Sequence, residues 1–452
     1  MGLYPPICRN IIAPLWAARE KSPYLRVARE LKRTEFKPAD EVREIQLQKL
    51  RRIIQHAWAN TKYYRETWHA SGFNPEDLKS IEDLASLPIL TKDDIRANKE
   101  RMVAENIPKE KLLPKKTSGS TGVSLEFFVD DESLQWKRGC TLYFDEWSGW
   151  RLGDKIAAIW GNPTHRTNWR AVLRNVLLER YDFLDTLKMG EKEMLAFYQR
   201  QLRRKPKLLF GHAHSIYLFS NFLKKRGLKP FRPKGIISTC MVLHDFERRV
   251  IEETFGCKVF NRYGCEEVSL IACECEAHEG LHLNLNTLVV EFIKDGRPAK
   301  PGKPGAIVVT DLTNYGMPFI RYKVGDVGIP SGRNCSCGRN LPLMESLEGR
   351  VADYVITPEG NLISGISLTE NFAVKLPEIK QLQIIQEKSD FLIFKVVKGE
   401  GFAADSEQKI RALALERFGP KMHYACEYVD AIPQEANGKY RFCISKVKNP
   451  FT

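Results

Sequence analysis

Lys258-Val259-Phe260-Asn261-Arg262-Tyr263-Gly264-Cys265-Glu266-Glu267 is a short β-prone run that ends in a glycine turn and two carboxylates. Runs of the same kind occur at residues 155–160, 208–210, 235–238 and 307–311, with helical stretches between them. Strand and helix in alternation predict an α/β domain built on parallel strands. On the N-terminal side, up to about residue 95, the chain reads as helical, because Leu47, Leu50, Ile54 and Trp58 recur at helix spacing. Beyond Gly349 the pattern changes to a hairpin over 354–363 around Pro358, Glu359 and Gly360, then strands at 382–386 and 392–397 and a helix at 407–418. The expected organisation is a helical segment over 1–95 packed on a large domain over 96–348, followed by a smaller, mobile α+β domain over 349–452.

Composition narrows the class. A chain of 452 residues, 43% hydrophobic and 28% charged, is long enough for a sizeable core. No apolar run approaches the roughly 20 residues of a spanning helix, and the start lacks the order of a signal peptide, so a cytoplasmic location is expected. Eleven cysteines in such a chain read as reduced thiols or metal ligands rather than a disulfide framework. The net charge of +14 would suit nucleic acid, an anionic membrane or a polyanionic substrate. The Lys and Arg residues are dispersed and no nucleic-acid signature is present, so a solvated basic surface without a nucleic-acid partner is expected. Residues 4–33 mix Leu, Ile, Trp and Tyr with Arg and Lys; Pro5, Pro6 and Pro14 favour packing on the main domain over a membrane-surface helix, and peripheral membrane association is carried as the weaker expectation.

Thr117-Ser118-Gly119-Ser120-Thr121-Gly122-Val123-Ser124 precedes a strand-like run, Leu125 to Val129. Two glycines among hydroxyl residues make a loop whose N–H groups and hydroxyls can wrap phosphate oxygens. It is not a Walker loop, because Val123 stands where that motif needs Lys. Further motifs follow in order: Asn261 to Glu267, Thr310 to Asn314, Met317 to Tyr322, Gly325-Asp326, Leu347 to Arg350, and Asn437-Gly438-Lys439-Tyr440-Arg441. With the early Leu87-Pro88-Ile89-Leu90-Thr91-Lys92, this series resembles the adenylate-forming superfamily over nearly the whole chain. The branch is that of phenylacetate–CoA ligases, deazaflavin-adenylylating coenzyme-F synthetases and CapK-type proteins of capsular polysaccharide clusters.

The resemblance implies an AMP-binding large domain and a set of roles. Thr117 to Gly122 would bind the phosphates of ATP. Glu267 would hold Mg²⁺, whose preferred ligands are carboxylate and phosphate oxygens. Tyr263, beside Gly264, would stack on adenine, Asp326 would hydrogen-bond the ribose hydroxyls, and Arg350 would lie beside ribose and phosphate. Lys439 would reach from the small domain to the developing charge at the α-phosphate. The chain departs from the pattern at Glu266, which adds a negative charge near the phosphates, at Val123, and at Ala352, where a hinge aspartate is common and Asp353 is the nearest candidate.

Two Cys/His clusters, Cys273, Cys275 and His278, and Cys335 and Cys337, could meet as the Cys₃His set that suits structural Zn²⁺. The chosen ligands are Cys275, His278, Cys335 and Cys337, matching the pattern of the same branch, with Cys273 and His282 in reserve. His212 and His214, near the expected acyl pocket, are read as packed or capping residues. The implied activity is ATP-dependent activation of a carboxylic acid as acyl-AMP and transfer to CoA or another acceptor such as an amino sugar. The alternatives are transfer of AMP to a small molecule of the deazaflavin kind, and a non-enzymatic zinc-stabilised binding protein.

Overall fold

The computed structural model of the chain describes residues 3–116, 125–160, 168–186, 191–350, 354–359, 362–364, 368, 375–376, 378–433, 441 and 443–447. A twelve-stranded sheet dominates it. Five strands run parallel in the order Val259–Cys265, Gly235–Thr239, Leu208–His212, Ile156–Trp160 and Tyr181–Asp185, the last at the edge. Ser269–Glu274 then folds back antiparallel on Val259–Cys265, and every strand beyond it in the sheet is antiparallel to its neighbours.

Four of the five sequence runs thus fall in the parallel half. The fifth does not: Gly305–Asp311 pairs antiparallel with Leu288–Lys294 and Tyr322–Pro330. The connections explain the difference. Short loops suffice between antiparallel neighbours, whereas parallel neighbours need a crossover, here the helices Ala213–Lys225 and Asp245–Phe255.

The two halves of the sheet meet at a narrow seam. Strand Leu281–Leu283 meets Leu343–Arg350 in two register pairs, His282 with Leu343 and Leu281 with Met344, and the Leu283 N–H donates to the Pro342 carbonyl at 2.9 Å. Leu343–Arg350 continues past this point along Tyr322–Pro330, where Asp326 stands opposite Arg350.

The N-terminal helices Ala39–Asn60 and Lys62–Ala70 cover the antiparallel half. Leu50, Ile53, Ile54, Ala57 and Trp68 share one core with Ile307, Val309, Phe319 and Tyr322. Residues beyond 354 build a separate core. The hairpin Ile379–Lys388 and Phe391–Lys398 is flanked in parallel by Cys443–Ser445 and His423–Tyr428, and helix Ala404–Phe418 covers it. That helix begins three residues earlier than its sequence pattern indicated, and the short pair Tyr354–Ile356 with Leu362–Ser364 is the expected hairpin. The architecture is α/β, with a large domain and a smaller α+β C-terminal domain.

Candidate active site and metal centre

Gly264 lies in strand Val259–Cys265 opposite Leu270, just before the turn at 266–268 that leads into Ser269–Glu274. A Cβ there would sit 2.3 Å from the Ser269 carbonyl oxygen and 3.1 Å from the Leu270 Cα, both backbone atoms. Only glycine lets the hairpin close. Gly264→Ala is therefore expected to destabilise the protein by about 1–3 kcal/mol, read as a lowered urea midpoint, and to displace the residue before it and one in the turn.

Those residues are Tyr263 and Glu267. Both are buried. Tyr263 donates its hydroxyl to Asp326 Oδ2 at 2.7 Å, joining two residues that lie 63 positions apart in the chain. Glu267 Oε1 accepts from the Tyr322 hydroxyl at 2.8 Å and has Lys92 Nζ at 3.7 Å. Burial and the charge of Glu267 push the Tyr322 hydroxyl up, so it stays protonated and donates. Burial, reinforced by Glu267, does the same to the Cys265 thiol.

Lys92 is placed by a capping box. Thr91 Oγ1 accepts from the Asp94 N–H, and Asp94 Oδ2 accepts from the Thr91 N–H, which starts helix Lys92–Met102 with Lys92 as its first residue. The Leu87 to Lys92 stretch is held against the 317–322 stretch. The Leu90 N–H donates to the Arg321 carbonyl, the Lys323 N–H donates to the Leu90 carbonyl, and Arg321 grips Glu291 through two nitrogens at 3.1 and 2.9 Å. Lys92 and Tyr322 belong to motifs visible in the sequence, but their approach to Glu267 is a long-range contact that no spacing reveals.

The extra carboxylate, Glu266, is exposed and lies 3.1 Å from Lys115 Nζ. Its charge is thus offset by a cation two residues ahead of the Thr117 to Ser124 loop. The strand after that loop is fixed too: Asp130 caps helix Asp131–Asp145 through the Ser133 N–H and also accepts the N–H groups of Tyr315 and Gly316, while Asn314 donates to the Phe128 carbonyl. Thr117, Ser118, Gly119, Ser120, Thr121, Gly122 and Val123 themselves lie outside the described residues, as do Lys439, Ala352, Asp353 and the Arg350 side chain.

Near the sheet seam, one ligand atom from each of Cys275, His282, Cys335 and Cys337 falls within 4.8 Å of all the others. His282, held in reserve, takes the place chosen for His278. The chain turns after Cys275, with the His278 N–H donating back to the Cys275 carbonyl and Gly280 at φ +139°, and returns as strand Leu281–Leu283 beside Ser269–Glu274. His278 sits in that turn, its ring against Phe260 and its Nδ1 3.5 Å from Glu274. Cys273 is in the adjacent strand but packs with Val27, Leu31 and Cys140.

The geometry suits a tetrahedral ion. Cys275 and Cys335 sulfurs are 3.6 Å apart, too far for a disulfide at about 2.05 Å and close to the roughly 3.8 Å between two sulfurs that each bind zinc at about 2.3 Å. His282 Nδ1 bonds the Leu341 carbonyl at 3.1 Å, which fixes the tautomer and turns Nε2 toward Cys337 Sγ at 3.4 Å. Backbone N–H groups of Ala277 and Arg339 point at the Cys275 and Cys337 sulfurs. Burial keeps His282 neutral and pushes the Cys275 and Cys335 thiols up, a penalty that a bound cation reverses. Beside the cluster, Arg339 stacks over Trp147 and pairs with Glu35 and Glu276, each at 2.9 Å.

Known proteins are similar to this chain in sequence and fold. The family model of the CapK C-terminal domain matches residues 355–446. Protein CapK of Staphylococcus aureus is 24% identical over 434 residues, covering 93% of this chain and 92% of its own. Phenylacetate-coenzyme A ligase of Aromatoleum evansii is 26% identical over 364 residues, 78% of this chain and 79% of its own. Among solved structures, 2-hydroxyisobutyryl-CoA ligase in its postadenylation state superposes with a TM-score of 0.76 at 21% identity, covering 92% of both chains. The same ligase with 2-HIB-AMP and CoA in its thioesterification state gives a TM-score of 0.63 at 22% identity, covering 92% of this chain and 91% of its own. The chain is thus similar over nearly its whole length to Protein CapK and over most of it to a phenylacetate-coenzyme A ligase, and it shares the fold of 2-hydroxyisobutyryl-CoA ligase.

Proposed function

We propose that the chain is an AMP-forming acid–CoA ligase with three functional parts: the 1–95 helical segment, the 96–348 nucleotide-binding domain and the 349–452 domain as a mobile lid. A carboxylate oxygen of the acid attacks the α-phosphorus of ATP, the bond to the β-phosphate oxygen breaks, and pyrophosphate leaves. The CoA sulfur then attacks the acyl carbon and AMP leaves. The observation that carries this reading is the grouping of buried Glu267, Tyr263 and Asp326 around one turn, with Lys92 and Tyr322 supporting the glutamate.

In this reading Tyr263 stacks on adenine while its hydroxyl orients the Asp326 carboxylate for the ribose. The 117–122 loop wraps the phosphates, Arg350 lies beside ribose and α-phosphate, and Lys439 enters from the lid. Glu267 would hold Mg²⁺, which neutralises phosphate charge when bound. Cys275, His282, Cys335 and Cys337 would hold a Zn²⁺ with no open position, a brace rather than a catalyst. An amino sugar is the second acceptor to try after CoA.

The test is ATP–pyrophosphate exchange across aryl, fatty and amino acids, with hydroxylamine to trap the adenylate. Exchange should require an acid, and Lys439→Ala should lower it about a hundredfold or more, the scale of losing one preorganised charge at the α-phosphate. Exchange that proceeds without any acid, or is unchanged by Lys439→Ala, overturns the ligase reading.

A further inference from the structure

Eight of the sixteen large apolar side chains that stand exposed among the described residues belong to two short segments. Leu3, Ile7, Ile11 and Leu15 lie along the helical run made of Tyr4–Ile7, Cys8–Ile12 and Ala13–Arg19; Trp169, Val172, Leu173 and Val176 lie on Trp169–Arg174 and Asn175–Glu179. All eight are between 39% and 81% exposed. The first set recurs every four residues. That step drifts around an α-helix, but the wider π turn at Cys8–Ile12 offsets the drift and keeps the stripe on one side.

The prolines do not break this run. Pro5 and Pro6 occupy its first turn, where N–H groups have no helical partner, and Pro14 enters where the π turn gives way to α-helix. The helix is two-sided: Cys8, Ala13 and Ala17 are buried against the body, and the stripe faces outward.

The two segments lie side by side. Tyr4 Oη and Cys8 Sγ both donate to the Leu177 carbonyl, at 3.0 and 3.1 Å, and the Arg180 guanidinium covers the Tyr4 ring. Both apolar stripes therefore border one seam. Around it Arg9, Arg19, Lys21 and Arg170 are exposed, whereas the neighbouring acids are engaged: Glu20 with Arg138 and Arg174, and Glu179 with Arg174. The face is apolar in the middle and positive around it. Among the described residues no helix is long and apolar enough to cross a membrane, so this surface can lie on a bilayer but not span one.

We propose that these two segments form one docking face for an anionic lipid bilayer, the apolar stripes entering the headgroup boundary and the arginines meeting lipid phosphates. Scattered apolar residues on a surface need no explanation, but two adjoining stripes ringed by cations do.

Flotation of the full-length protein with vesicles tests it. The protein should float with phosphatidylcholine vesicles that contain phosphatidylglycerol and not with phosphatidylcholine alone. Ile11→Glu combined with Val176→Glu should lower the bound fraction about tenfold or more, with circular dichroism melting and ATP–pyrophosphate exchange unchanged. Arg9→Gln with Arg170→Gln should weaken binding and its dependence on salt. The proposal is overturned if the wild type does not float with anionic vesicles, if it floats as well after the paired glutamate substitutions, or if sedimentation shows a wild-type dimer that those substitutions convert to monomer. Flotation needs neither ATP nor acid, so its failure leaves the ligase reading untouched.

Discussion

Glu267→Gln should lower acid-dependent ATP–pyrophosphate exchange about a thousandfold, while thermal unfolding stays close to that of the wild type. The substitution keeps the shape and an oxygen for the Tyr322 hydroxyl, which now bonds Oε1 at 2.8 Å. What it removes is the charge that would hold Mg²⁺. Stabilisation of phosphoryl charge by a metal is worth several kcal/mol, and at about 1.4 kcal/mol per decade roughly 4 kcal/mol is a factor near a thousand. Raising Mg²⁺ should recover part of the loss. Tyr322→Phe, which leaves the carboxylate but not its orienting hydroxyl, should cost about tenfold. Exchange by Glu267→Gln within about twofold of wild type would sink the assignment of the glutamate as the metal ligand.

The second large effect concerns the sulfur cluster. Purified protein should contain about one zinc per chain, and Cys335→Ser should abolish the zinc and lower the thermal midpoint by about 10 °C. The reason is position as much as chemistry. The ligands come from both sides of the place where Leu281–Leu283 meets Leu343–Arg350, so an ion there adds a cross-link between the two sides of the sheet. His282→Ala should behave like Cys335→Ser, whereas His278→Ala and Cys273→Ser should keep the metal. Full zinc in His282→Ala, measured by atomic absorption, would show that the histidine ligand has been misassigned.

These contrasts also mark what the sequence could convey. Four of the five parallel strands were legible because their runs are short and β-prone, three of them followed by a helix; the edge strand Tyr181–Asp185 was missed. Residues 307–311 have the same composition, but a run of Val and Ile carries no record of its direction; that depends on the partner strand and the connection. The metal ligands show a similar limit. Cys275 and His278 have attractive spacing, yet the turn at Gly280 sends His278 aside and the returning strand delivers His282, a displacement set by sheet pairing rather than by local order. Tyr263, Glu267 and Asp326 were singled out as candidates through ordered motifs. Lys115 beside Glu266, and Lys92 beside Glu267, were not, because ion pairs across 151 and 175 positions are made by the fold. The same holds for the apolar face: one of its stripes is visible as a four-residue repeat, but its partner at Trp169 is brought alongside only by packing.

The narrow seam also dictates an order of assembly. Leu343–Arg350 is the last strand of the twelve to be synthesised, and it is the one that joins the two halves. By the time it leaves the ribosome, the strands up to Leu283 and those from Leu288 to Pro330 are already complete as sequence. Their buried side chains share one core, in which Ile271, Leu281 and Leu283 pack with Leu288, Ile307 and Tyr322, so that core is complete only when both parts are present. Closure of the sheet is thus a late event in biosynthesis. Cys335 and Cys337 emerge just ahead of the joining strand, so the four-residue set that they make with Cys275 and His282 is complete only as the sheet closes.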